Sequence, residues 1–151
     1  MSKYRSFLAA ALALVMVLFV TFVSPAEAKS KSRAQVYSAD QIAEIQGYAE
    51  TVNRMRDRIT TDLKALVDQE NWVFTRNFIH GPLGELRLKM LRIARDLFPE
   101  AQEKARDLAK DTFTALANLD KAAADEDSRA LNRAYSDLVK SLEQFDALLP
   151  Q

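Results

Sequence analysis

The sequence predicts an all-α protein: a four-helix, up-down-up-down bundle preceded by an N-terminal signal segment. Three observations carry that expectation. From Ile42 onward, apolar residues recur at steps of three and four, the spacing that places them on one face of a helix. Neither the alternating pattern of a strand nor a glycine-asparagine hairpin turn occurs. The stripes are interrupted at Pro82, Pro99 and the acidic run Asp125-Glu126-Asp127, which divide them into four.

The chain begins with Lys3 and Arg5, then residues 7–23, apolar throughout except for Thr21, then Pro25 and the small-x-small triplet Ala26-Glu27-Ala28. Charged head, apolar middle and A-x-A read as an export signal cleaved after Ala28. The competing reading is an uncleaved anchor, because this 17-residue stretch reaches the lower edge of what can cross a bilayer. The triplet following directly after Pro25 favours cleavage. Three regions result: a signal peptide over residues 1–28, a basic tail with Lys29, Lys31 and Arg33 over residues 29–37, and the bundle over residues 38–149.

The first bundle helix is expected over about residues 39–67. Its stripe is Ile42, Ile45, Ala49, Val52, Met55, Ile59, Leu63 and Leu66. Ser38 and Gln41 fit a capping box, and Tyr37 with Ile42 has the spacing of a hydrophobic staple. The second stripe is Leu83, Leu86, Met90, Ile93 and Leu97, widened by Leu88, Leu91 and Phe98, with Pro82 expected at the first helical position. Pro99 opens the third helix, striped by Ala101, Ala105, Leu108, Thr112, Leu116, Leu119 and Ala123, with Phe113 alongside. The fourth carries Leu131, Tyr135, Leu138, Leu142, Phe145 and Leu148. The acidic run before it suits the positive end of the helix dipole, which makes it a cap and not a calcium site.

Composition excludes several functions. With no cysteine, the chain has no disulfide framework, thiolate zinc site, haem attachment through C-x-x-C-H, thiol catalysis or lipoprotein anchor. Beyond residue 28 there are 19 basic against 20 acidic residues, so nucleic acid is not an expected partner.

The rare residues gather in residues 71–87, NWVFTRNFIHGPLGELR, which hold the single tryptophan, the single histidine and two of the three glycines. Read from pattern, this is the one long connection in the bundle. His80 stands alone: no H-x-x-x-H or E-x-x-H spacing and no nucleophile context such as G-x-S-x-G accompanies it. It reads as a helix-end or loop residue. Trp72, Val73, Phe74, Phe78 and Ile79 are too apolar for an exposed loop, and either close one end of the core or present an aromatic patch to a partner. No catalytic, cofactor or metal site is expected. A generic exported four-helix protein that binds a metal or small ligand is the alternative, although Met55 and Met90 on the stripes suit ordinary packing.

Residues 71–99 also resemble the PsbQ family in its cyanobacterial form. The resemblance rests on Trp72, Arg76-Asn77, the Gly81-Pro82-Leu83-Gly84 joint and Leu86-Arg87, and continues through Phe113, Leu116, Asn118-Leu119-Asp120 and Ala122-Ala123 to the Tyr135 region. It implies a non-enzymatic extrinsic subunit of photosystem II on the lumenal side of the thylakoid membrane. Such a subunit helps stabilise the oxygen-evolving complex and its manganese–calcium–chloride site without supplying ligands. The implied partners are the photosystem II core, other extrinsic lumenal subunits and, peripherally, the membrane surface. Many cyanobacterial relatives carry a lipid on a cysteine that this chain lacks, so its retention is expected to depend on contacts. The candidate contact residues are Trp72, Arg76, Arg87, Lys89, Arg92 and Arg95, the last four read as one basic helix face.

Overall fold

A computed structural model describes residues 36–150, and the signal segment and most of the basic tail expected from the sequence lie outside the described residues. The elements are α1 (Ala39–Arg58), a π-helical turn (Ile59–Leu63), α2 (Lys64–Asp68), α3 (Trp72–His80), α4 (Leu86–Asp96), α5 (Pro99–Ala124) and α6 (Ser128–Asp146). No strand occurs among the described residues. α1, the π turn and α2 run as one continuous rod, which with α4, α5 and α6 makes the four long members of the bundle.

Each rod packs on the next in sequence, and the far half of the first returns to α6. The contacts across that last seam show its direction. Ser128 Oγ donates to Glu70 at 2.6 Å, Tyr135 Oη to the Ile59 carbonyl at 3.3 Å, and Arg56 Nη1 to Asp146 at 2.8 Å. Residue numbers rise along α6 as they fall along the rod, so the two are antiparallel. The stripes meet inside, where Ile45, Ile59, Leu63, Leu86, Met90, Ile93, Leu119, Leu131, Leu138 and Phe145 are fully buried.

The capping box forms with both its bonds: the Gln41 N–H donates to Ser38 Oγ at 3.2 Å, and the Ser38 N–H to Gln41 Oε1 at 2.9 Å. Tyr37 stacks on Phe98 with ring centroids 3.7 Å apart, and its hydroxyl accepts from the Phe98 N–H at 3.0 Å. That contact fastens the start of α1 to the α4–α5 corner, where Pro99 opens α5 as its spacing predicts.

The π turn follows from local chemistry. Thr60 and Thr61 donate their hydroxyls back to the Arg56 and Asp57 carbonyls, competing with the ordinary backbone bonds. The wide turn also corrects a phase drift. Ile59, Leu63 and Val67 are buried at steps of four, and a 3.6-residue helix would swing that face by about 40° per step.

Two joints share one design. After α2, the Glu70 N–H bonds the Val67 carbonyl and the Asn71 N–H the Leu66 carbonyl, a Schellman closure with Glu70 at φ 50°. After α5, the Asp127 N–H bonds the Ala122 carbonyl with Glu126 at φ 54°. In each case the residue that ends one helix caps the next. Asn71 Oδ1 accepts from the Phe74 N–H at 3.3 Å, and Asp127 Oδ1 from the Ala130 N–H at 2.9 Å. The acidic run is therefore a cap, with Glu126 holding a left-handed conformation that a side chain disfavours. Glu126→Gly is expected to raise stability by about 0.5–1 kcal/mol, read as an increase in Tm. An unchanged or lower Tm would show that the joint stores no strain.

Candidate functional site

The 71–87 segment is not a loop. Nine of its residues form α3, because Asn71 caps its first turn and Thr75 and Phe78 give it a buried face. α3 lies chiefly against α5, and the Arg58 guanidinium covers Phe78 at 5.1 Å from the ring centre. The segment then turns at Gly81-Pro82-Leu83-Gly84, where the Gly84 N–H bonds the Gly81 carbonyl at 3.3 Å, with proline at the second turn position. Pro82 is thus not at the start of the following helix, which begins at Leu86. A Cβ on Gly81 would sit 3.1 Å from the Asn77 carbonyl oxygen, so this turn admits little beyond glycine without adjustment.

His80 ends α3, as its place before Gly-Pro indicated, but it does not stand alone. Its Nε2 lies 2.9 Å from Asp120 Oδ1, and Arg76 Nε donates to the same oxygen at 3.1 Å. Arg76 and His80 are one helical turn apart, so both reach a single carboxylate on α5. Burial pushes the Asp120 carboxyl up, but hydrogen bonds from Arg76 and His80, reinforced by their charges, hold it below the usual carboxylate range. Sequence spacing could not reveal this clamp, since its halves are 40 residues apart. The nearest signal was that Arg76 and Asp120 both fall in the short runs that carry the family resemblance.

The apolar side chains of α3 divide. Phe78 is buried, Trp72 and Ile79 are half-buried against the core, and Val73 and Phe74 are exposed at 67% and 60%. Core closure and surface display are both present, on opposite sides of one short helix.

The four basic residues of α4 do not form one face. Arg87 leans over the Phe113 ring of α5, with its guanidinium carbon 5.3 Å from the ring centre. Lys89 leans the other way, 5.4 Å over the Tyr48 ring of α1. Between these flanks lie exposed Arg92, which makes no ion pair among the described residues, and Arg95, whose Nε bonds the adjacent Asp96 at 3.2 Å. Leu88 and Leu91, expected to widen the buried stripe, are exposed at 58% and 41% and share this outer surface. The core needs only the 83–86–90–93–97 line, and α4, packed on α1 and α5, leaves its outer side to solvent.

No three His, Cys, Asp or Glu side chains among the described residues are grouped to hold a metal ion, and no described helix is long and apolar enough to cross a membrane. The chemistry on display is that of a surface: guanidinium groups beside uncovered leucine, valine and phenylalanine. Fold and surface together define a helical-bundle protein with basic and apolar side chains exposed on one of its helices. Comparison with known proteins places it more closely. Residues 10–150 match the PsbQ family, described as oxygen evolving enhancer protein 3, and the chain belongs to that family. It is also 38% identical to the protein named CyanoQ from Synechocystis sp., across all 151 residues and 99% of that relative.

Proposed function

We propose that this chain is a non-enzymatic extrinsic subunit of photosystem II. In this reading it is exported to the thylakoid lumen after cleavage at Ala28, sits peripherally on the lumenal side of the membrane, and helps stabilise the oxygen-evolving complex through contacts. The observation that carries the reading is the family match along nearly the whole chain, together with 38% identity to CyanoQ over the full length of this chain. The surface chemistry supports it. Arg92 and Arg95 project from α4 beside Leu88 and Leu91, a mixed surface suited to an acidic protein face with apolar spots. Trp72 and Arg76 on α3, with Arg87 and Lys89 on the flanks of α4, complete the proposed contact set.

Exposed ion pairs contribute only about 0.2–1 kcal/mol each, so the cations serve steering and register while apolar contact supplies the remainder. The primary test is co-purification with tagged photosystem II, where absence from the complex would sink the reading. A second measurement addresses the electrostatics. The protein is expected to leave isolated membranes in about 1 M salt, at which charges are screened beyond ~3 Å. Release only by detergent would replace the electrostatic account with membrane anchoring. Arg92→Glu with Arg95→Glu is expected to weaken rebinding by about tenfold, the scale of two lost contacts plus repulsion.

A further inference from the structure

On the side of α4 that faces α5, the two helices leave an open groove with a volume of about 350 Å³. Its walls carry Arg87 from α4 and Arg106 and Lys110 from α5, and its apolar lining comes from Leu91, Phe113 and Ala117. The three α5 positions 106, 110 and 113 follow at steps of four and three, so one helix face presents two cations and an aromatic ring in a row.

We propose that this groove is a docking site for a short acidic segment of a protein partner, in which Asp or Glu residues flank a leucine or phenylalanine. This rests on the reading of the chain as an extrinsic subunit and names the element of its surface that reads sequence in a partner.

Charge is the first argument. No carboxylate is among the residues that line the groove. None of the three cations is neutralised by an ion pair among the described residues: Arg87 covers the Phe113 ring, Arg106 Nη1 bonds only the Gln102 amide oxygen at 3.3 Å, and Lys110 makes no side-chain bond. α5 sorts its charges, with Arg106 and Lys110 turned toward α4 while Asp111 lines the cleft on the α6 side together with Asp137. In a chain with 21 basic and 21 acidic residues, a three-cation groove is a local excess and not a reflection of composition.

Shape is the second argument. Guanidinium groups bind carboxylates through paired N–H bonds, and two of them beside a lysine can hold two carboxylates at fixed spacing. Leu91, 41% exposed, and Ala117 offer an apolar seat beside the Phe113 ring that Arg87 covers. The volume lies at the small end of ligand clefts, roughly 300–1,000 Å³, which suits a few side chains and not a whole helix. A bilayer presents a flat anionic surface and engages cations that stand proud of the protein. Here the three cations and the apolar side chains line one groove between two helices, a shape that favours a short segment laid along it.

The test uses the full chain, isotope-labelled and titrated with eight-residue peptides bearing two acidic residues around a leucine. The controls are the same peptide with Asn and Gln in place of the acids, and vesicles of anionic phospholipid. Binding of the acidic peptide should perturb backbone signals around Arg87, Arg106, Lys110 and Phe113, and the amide control should not. Arg106→Ala with Lys110→Ala, both exposed positions, should weaken the peptide by about tenfold, the scale of two charge-assisted contacts, while Tm stays unchanged. Equal binding by the amide control, perturbation elsewhere, or binding to vesicles but not to peptide would each overturn the proposal. Rebinding to salt-washed photosystem II membranes separates it from the broader reading. Wild type that rebinds alongside an equally competent double variant sinks the groove alone, whereas wild type that fails to rebind sinks the subunit assignment.

Discussion

Replacing Phe145 with alanine is expected to lower the unfolding free energy by about 3–5 kcal/mol, the range for deleting a buried phenylalanine. Phe145 is the largest of the fully buried side chains and lies one residue before the C-terminal end of α6. Its neighbours on that stripe, Leu138 and Leu142, are equally enclosed, so the surrounding packing has little room to collapse into the vacated space. The consequence is large because nothing covalent reinforces the fold: the chain has no cysteine, and domains of this size have about 5–15 kcal/mol to lose. Chemical denaturation followed by circular dichroism measures the effect. Phe74→Ala, at a ring 60% exposed, is the matched control and should fall within about 0.5 kcal/mol of wild type. A loss of about 1 kcal/mol or less for Phe145→Ala, below the range for buried aromatic deletions, would mean that the end of α6 is not part of the cooperative core.

What pattern could and could not foretell follows a physical divide. Positions that repeat along a helix were visible because burial imposes a period on sequence, as with Leu86, Met90 and Ile93 or Leu138, Leu142 and Phe145. The Ser38–Gln41 box was visible because its partners are three residues apart. α3 was hidden because nine residues show too little period to separate a helix from an apolar loop, and its inward face, Thr75 and Phe78, is only two residues wide. Leu88 and Leu91 misled for a related reason. A leucine on α4 contributes equally to a hydrophobic pattern whether it meets the core or solvent, and only the neighbours of α4 decide which. The flanking lean of Arg87 and Lys89 depended on Phe113 and Tyr48, rings on two other helices. Contacts between distant positions were the part that spacing could not encode, and the candidate surface is made mostly of those.

Asp120→Asn is expected to destabilise the protein by about 1–2 kcal/mol near neutral pH, the range for charge-assisted hydrogen bonds that are partly open to water. One carboxylate oxygen serves both Arg76 and His80, so a single substitution weakens both ties between α3 and α5. Arg76 and His80 are themselves largely exposed, which keeps the effect well below that of a core deletion. The pH dependence has a definite sign. The folded-state pKa of Asp120 is depressed relative to that of the unfolded chain, where an aspartate titrates near ~3.9. Its contribution is therefore fully present above that value and is lost as pH falls through the lower folded-state value. The stability gap between wild type and Asp120→Asn should close progressively as pH falls below about 4. A gap that stays constant into strong acid would show that the carboxylate charge is not what Asp120 contributes. Hydrogen exchange supplies the structural readout: amides of α3 should exchange faster in the variant while those of α6 do not. If α3 keeps its protection, the helix is held by its packing through Thr75, Phe78, Trp72 and Ile79, and the Arg76–His80–Asp120 contact does not set the position of the exposed Val73–Phe74 pair.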